Sequence, residues 1–179
     1  MSDVALIIGP RYELSESYSK YGARTVISVF EACEKGNCKE PTPDGVEKIN
    51  HHKFYFDDVY IGNNFDWKEA PTEQDIRNIL DLYPKYLPKK EDSPVYVHCF
   101  AGVSRSAAIA YAIYCKALGE GKEIEAMKLT NASAPYKGIW PSDYITNIAD
   151  SILERKGKMI EVLAQWKAEV QANKNLAWT

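Results

Sequence analysis

The chain has 179 residues, 45% hydrophobic and 26% charged, which is the composition of an ordinary globular protein and not of a disordered or fibrous one. Its 22 basic and 25 acidic residues leave a formal charge of −3, so the overall balance calls for neither nucleic acid nor an anionic membrane as partner. No apolar run approaches membrane-spanning length, and four cysteines at irregular spacing point to a reducing cytoplasm more than to a disulfide framework.

Taken in order, Val4–Ile8 before Gly9-Pro10 reads as a buried strand with a turn, not as a signal peptide, because it has no basic flank. Glu13–Tyr21 is expected to be a short polar helix and Thr25–Phe30 a second buried strand, a βαβ start that favours a parallel sheet. Residues 31–50 are polar, with two Gly and two Pro, and read as a loop insertion. Cys33 and Cys38 stand near His51 and His52, but adjacent histidines do not easily face one ion, so the reading is a solvated loop with no metal. Lys53–Asp58 is a strand that should end in two carboxylates, followed by a loop to Ala70.

Thr72 with Asp75 forms a capping box for a helix whose stripe is Ile76, Ile79, Leu80, Tyr83 and Leu87, with Pro84 bending or ending it. Val95–His98 is a strand, and a helix from the following loop to about Leu118 stops at Gly119. Its small residues Ala107, Ala108, Ala110 and Ala112 suit close packing on a sheet. Lys122–Asn131 should be helical with Ile124, Met127 and Leu129 inward. A helix capped by Ser142 or Asp143 should reach Arg155, and another over Met159–Ala172 should bury Ile160, Leu163, Trp166 and Val170. We expect one domain over 1–179, its last part (158–179) a helical extension, and the final seven residues to fray.

The chemistry gathers in Val95–Ser106, VYVHCFAGVSRS: strand, tight loop, helix. A loop opening a helix there converges backbone N–H groups on an anion, and Gly102 lets the chain fold around it. Arg105 supplies a planar fork for two phosphate oxygens, and Cys99, facing the same cradle, is placed to act as a nucleophile. This equipment suits phosphoryl transfer through a cysteinyl-phosphate, with no cofactor.

HCFAGVSRSAAIAYAIY resembles the signature of the dual-specificity branch of the cysteine-based protein tyrosine phosphatases, including Ala101, Ser104 and Ser106 as well as Cys99 and Arg105. With the F-x-F-x-D run before it and the P-T-E-x-D helix start, the chain is similar to a bacterial and phage subgroup of small tyrosine phosphatases. The resemblance implies an α/β fold with a central, mostly parallel sheet flanked by helices. It further implies Cys99 as nucleophile, Arg105 on the phosphoryl oxygens, Ser106 on the leaving thiolate and His98 as orienter of the loop. Phe100, Ala101, Gly102, Val103 and Ser104 would bind phosphate through backbone N–H groups.

The family's acid is an aspartate on the loop after the strand ending near Phe56: Asp58 fits the F-x-D pattern, and Asp66, 33 residues before Cys99, is the second candidate. Asp57 would point to the opposite side of the strand from Asp58. Two features depart from the family pattern: Pro141 is followed by Ser142 where an Asn commonly braces the phosphate loop, and the stretch from Asp58 to Pro71 is long.

The expected substrate is a phosphorylated protein carrying phosphotyrosine, with phosphoserine and phosphothreonine admitted by a shallow pocket, acted on by a cytoplasmic monomer without nucleic-acid or membrane partner. Phosphoinositide phosphatases carry lysines inside this loop, and FAGVS has none. RNA 5′-phosphatases favour basic surfaces, against the charge here. A phosphopeptide-binding module with weak chemistry is the non-enzymatic alternative, which the presence of both Cys99 and Arg105 does not support.

Overall fold

The computed structural model describes residues 4–35, 50–61, 68–85, 87–89, 92–135 and 138–172. Among these residues four strands, β1 (Leu6–Pro10), β2 (Thr25–Phe30), β3 (Asn50–Tyr55) and β4 (Val95–Cys99), form a parallel sheet in the order β1-β4-β2-β3. Among the described residues six α-helices accompany it: α1 (Leu14–Tyr21), α2 (Glu73–Leu80), α3 (Arg105–Leu118), α4 (Glu123–Ala132), α5 (Asp143–Ile152) and α6 (Lys158–Ala172).

Alternation along the strands sorts the core between two faces. Val26 and Tyr96 turn toward α1 and pack with Leu14 and Ala23. Ile27, Val29, Val95 and Val97 turn the other way, into a larger core with α2, α3, α4, α5 and α6. The helix α3 lies in the middle of that layer and is buried from Arg105 to Cys115, which its alanines make possible by letting the helix axis approach the sheet. Each fully buried side chain such as Ile109 or Ile113 contributes about 1.5–3 kcal/mol through apolar burial. The edge strand β1 does not offer its donors freely: the Leu6 N–H donates to the Tyr114 hydroxyl at 3.0 Å and the Ile8 N–H to the Ser133 carbonyl at 2.8 Å.

Several elements differ in extent from the sequence reading. The third strand starts and ends three residues earlier, so Asp57 and Asp58 lie beyond it; pairing with Thr25–Phe30 sets its register, which alternation alone could not. The helix α2 stops at Leu80, well before Pro84, and Leu82 and Leu87 are buried from the irregular chain that follows. In α4, Met127 is buried as expected and Leu129 packs against the core, but Ile124 is 58% exposed, and Ala126 and Thr130 are buried in addition. Similarly α6 buries Met159 and Leu163, and leaves Ile160 exposed. Ile124 beside Met127, and Ile160 beside Met159 and Leu163, give overlapping apolar stripes, and only the packing partner decides which of them is buried. The α5 helix, capped by Ser142, ends at Ile152, because Glu154 and Lys156 adopt left-handed φ angles of 55° in the turn to α6. The Asp150 carboxylate holds that turn, accepting from the N–H groups of Gly157 at 2.7 Å and Met159 at 3.0 Å. The expected fraying of the last seven residues lies outside the described residues, as do Cys38 and Asp66. Among the described residues no helix is long and apolar enough to cross a membrane.

Candidate active site

All four parallel strands end at the same edge of the sheet, the position where open parallel sheets place their sites. Four short segments therefore meet there: Arg11-Tyr12 after β1, Glu31 after β2, Phe56–Asp58 after β3, and the loop Phe100–Ser104 after the central strand β4.

Cys99 closes β4 and is 3% exposed at the base of that loop. Its Sγ lies 3.3 Å from the Ser106 hydroxyl, on the first turn of α3. The residue before α3, Ser104, does not cap the helix with its side chain. Its hydroxyl instead donates to Asp58 Oδ1 at 3.0 Å, so the first-turn N–H groups of α3 lack their usual capping oxygen and remain an anion site. Gly102 is required here: its φ is +74°, and a Cβ would stand 2.4 Å from the Gly9 carbonyl carbon. The loop is braced on its other side by backbone, the Trp140 N–H donating to the Val103 carbonyl at 2.9 Å and the Ser142 N–H to that of Ser104 at 3.4 Å. Backbone thus supplies a brace at Ser142, where the resemblance led an asparagine side chain to be expected.

The Arg105 side chain is 3% exposed and is held from behind. Its Nη1 donates to the carbonyls of Phe56 at 2.7 Å and Phe30 at 3.4 Å, and its Nη2 pairs with Glu31 Oε1. A guanidinium has five N–H groups. With three so engaged, the buried Nε has no partner among the described residues, a donor prepared for a ligand oxygen. Burial pushes the Glu31 carboxyl above its ordinary range, a hydrogen bond with Asp57 adds to this, and Arg105 opposes it. Burial would also raise Asp57, but hydrogen bonds outweigh it and hold that carboxylate below its ordinary range. The Asp57 carboxylate accepts from the N–H groups of Glu69 at 2.9 Å and Ala32 at 3.1 Å. A further bond, Asp57 N–H to the Glu69 carbonyl at 2.8 Å, pins the two ends of the Asp58 loop together.

His98 is fully buried in β4, and burial pushes its imidazole down to about 4. Its Nδ1 lies 3.4 Å from the Cys99 carbonyl, which only accepts, and its Nε2 lies 2.6 Å from the Ser28 hydroxyl. The neutral ring therefore donates from Nδ1 to the Cys99 carbonyl and accepts the Ser28 hydrogen at Nε2. Ser28 in turn lies 2.6 Å from His51 Nε2.

The structure thus brings Cys99, Arg105, Ser106, Ser104 and Asp58 to one place, with Phe100, Ala101, Gly102 and Val103 between them at the surface. The sequence reading did not single out Glu31 or Ser28, and it gave His51 to a loop. The available signal was a carboxylate directly after a fully buried strand, since such strand ends converge.

A family model described as protein-tyrosine phosphatase matches residues 15–137. Among solved structures, human DUSP28 is similar at 13% identity and TM-score 0.56, over 82% of this chain and 86% of that one. The human tyrosine phosphatase-like serine/threonine/tyrosine-interacting protein is similar at 18% identity and TM-score 0.56, over 81% and 88%. PTPMT1 in complex with PI(5)P is similar at 18% identity and TM-score 0.50, over 90% of each chain. At these identities the likeness is one of fold. No curated protein matches the chain in sequence.

Proposed function

This chain belongs to the protein-tyrosine phosphatase family, and we propose that it hydrolyses phosphotyrosine in phosphoproteins through a cysteinyl-phosphate intermediate. Phosphoserine and phosphothreonine would be substrates wherever they reach the same loop. The observation that carries the reading is Cys99 Sγ set 3.3 Å from Ser106 Oγ beneath a loop flanked by Arg105, whose buried Nε lacks a partner among the described residues.

In the first step Cys99 Sγ attacks phosphorus and the bond to the leaving oxygen breaks, with Asp58 giving that oxygen a proton. The N–H groups of Phe100, Ala101, Gly102, Val103, Ser104 and Arg105 receive the equatorial oxygens, together with the Arg105 fork, as charge spreads over them. In the second step water attacks phosphorus, Asp58 takes its proton, and the Ser106 hydroxyl donates to the departing thiolate. Ser104 holds Asp58 toward the loop, and Glu31 with the Phe30 and Phe56 carbonyls fixes Arg105. A phosphoinositide substrate is the second reading, prompted by the fold likeness to PTPMT1 in complex with PI(5)P. Against it, the loop interior FAGVS offers no lysine to further phosphates.

The test is hydrolysis of phosphotyrosyl, phosphoseryl and phosphoinositide substrates by wild type and Cys99→Ser. Phosphotyrosyl peptides should be turned over fastest. Cys99→Ser should lose turnover and still bind vanadate, because a serine hydroxyl in that cradle is a far poorer nucleophile. Residual activity within about tenfold of wild type would sink the nucleophile, and a phosphoinositide-first ranking would overturn the substrate.

A further inference from the structure

Five of the seven large hydrophobic side chains exposed among the described residues stand on the segments that follow β1, β3 and β4, at the sheet edge where Cys99 lies: Tyr12, Tyr60, Ile61, Phe100 and Val103. Exposed apolar groups gathered at one place, unlike scattered ones, mark a surface that is covered in use. On the β1 side, Arg11, Tyr12, Phe100 and Ala101 line an open groove of about 520 Å³. Neither Cys99, Arg105 nor Asp58 lines it, so it lies beside the phosphate cradle and is not its mouth.

The groove is built at a fixed distance from the chemistry. Phe100 follows Cys99 directly, its carbonyl accepts from the Arg11 N–H at 3.2 Å, and Gly102 seats against Gly9 and Pro10. Among the described residues that line the groove the one charged group is neutralised in place: Arg11 Nη1 pairs with Glu34 Oε1 at 2.6 Å, while its guanidinium carbon sits 5.0 Å from the centre of the Phe30 ring. What remains for a ligand is two aromatic walls, Tyr12 at 77% and Phe100 at 68% exposure. A polyanionic headgroup would need ammonium or guanidinium donors there. An apolar side chain would not.

We propose that this groove takes a large apolar side chain of the substrate polypeptide, close in sequence to the phosphorylated tyrosine, and that Tyr12 determines this specificity. The proposal rests on the phosphoprotein reading above. It makes the chain selective for phosphotyrosyl segments with an apolar neighbour.

The experiment compares phosphotyrosyl peptides of equal length and charge that carry Leu or Phe, or else Ser or Asn, at each of the flanking positions. Wild type, Tyr12→Ser and Tyr12→Phe are assayed on these peptides, on p-nitrophenyl phosphate and on vesicles containing a phosphatidylinositol phosphate. Wild type should favour the apolar peptides on the order of 10-fold in kcat/KM, mainly through KM, the discrimination one apolar pocket supplies. Tyr12→Ser should lose that preference, Tyr12→Phe should keep it, and p-nitrophenyl phosphate should be hydrolysed equally by all three. Wild type that hydrolyses the peptides without preference would overturn the groove assignment and leave the phosphoprotein reading standing. A preference that survives Tyr12→Ser, or an equal fall on p-nitrophenyl phosphate, overturns it too. Turnover of the vesicles with none of any phosphotyrosyl peptide would overturn both readings, and assign the apolar rim to a lipid surface.

Discussion

Asp57 and Asp58 leave the end of β3 in opposite directions, as neighbours on an extended chain do. Asp57 turns inward onto the N–H groups of Ala32 and Glu69, and Asp58 turns out to the Ser104 hydroxyl at the end of the loop after β4. If Asp58 is the acid, Asp58→Asn should cut kcat by ~10²–10⁴ for a phosphotyrosyl peptide and far less for p-nitrophenyl phosphate, whose leaving group departs without help. Asp66→Asn is the matched control, and the leaving-group dependence appearing there instead would move the acid eight residues along. His98 makes a separate, thermodynamic prediction. Its imidazole falls from an ordinary 6.5 to about 4 through burial, so between those values the unfolded chain binds more protons than the folded one. The stability linked to His98 is then present above pH 6.5 and is lost as pH falls through about 4. Between about pH 7.5 and 4.5, urea denaturation should show wild type losing on the order of 2–3 kcal/mol more than His98→Gln. Equal losses would reject the buried neutral ring.

Two turns decide whether their elements meet. Gly102 joins β4 to α3 and touches the end of β1, which is why its positive φ and its missing Cβ matter together. Gly102→Ala should destabilise the protein by more than ~1 kcal/mol and reduce kcat, because the new methyl meets backbone and cannot be avoided by a side-chain rotation. Unchanged Tm and kcat in that variant would mean the loop accommodates a Cβ by moving. The turn between α5 and α6 is held differently, by the Asp150 carboxylate on two N–H groups. Asp150→Ala should cost about 1–3 kcal/mol in chemical denaturation, since it leaves those donors without their acceptor. It should leave p-nitrophenyl phosphate hydrolysis unchanged, because the turn is on the helical layer and not at the strand ends. A loss of activity matching the loss of stability in fully folded enzyme would contradict that separation.

The whole molecule is arranged so that the active loop rests on both halves of the chain. The central strand β4 is paired on one side with β1 and on the other with β2, and α3 beneath it packs against α4 and α5. Through Met159 and Leu163, α6 joins the same core, and Arg155 reaches back to the Cys115 carbonyl at 2.9 Å. If 1–179 is a single domain, unfolding followed by far-ultraviolet circular dichroism, by tryptophan fluorescence and by loss of phosphatase activity should give coincident transitions. An early fluorescence transition at unchanged activity would make residues 158–179 an independently unfolding extension.

What the sequence determined by itself was local. Thr25–Phe30 is a strand because six consecutive residues suit full burial, Thr72 with Asp75 starts a helix because each satisfies the other's backbone, and HCFAGVSRS is legible because its chemistry lies within seven residues of Cys99. Register and facing were not local: β3 slid three residues against expectation, and Ile124 and Ile160 turned outward, because strand pairing and helix packing are set by partners distant in the chain. The support of the site was also decided only in three dimensions. Glu31 lies 74 residues from Arg105 and Phe56 lies 49 from it, and nothing near either marks it as holding a guanidinium. The parallel sheet brings them together, because it ends every strand at one edge and leaves a buried arginine to find its acceptors there.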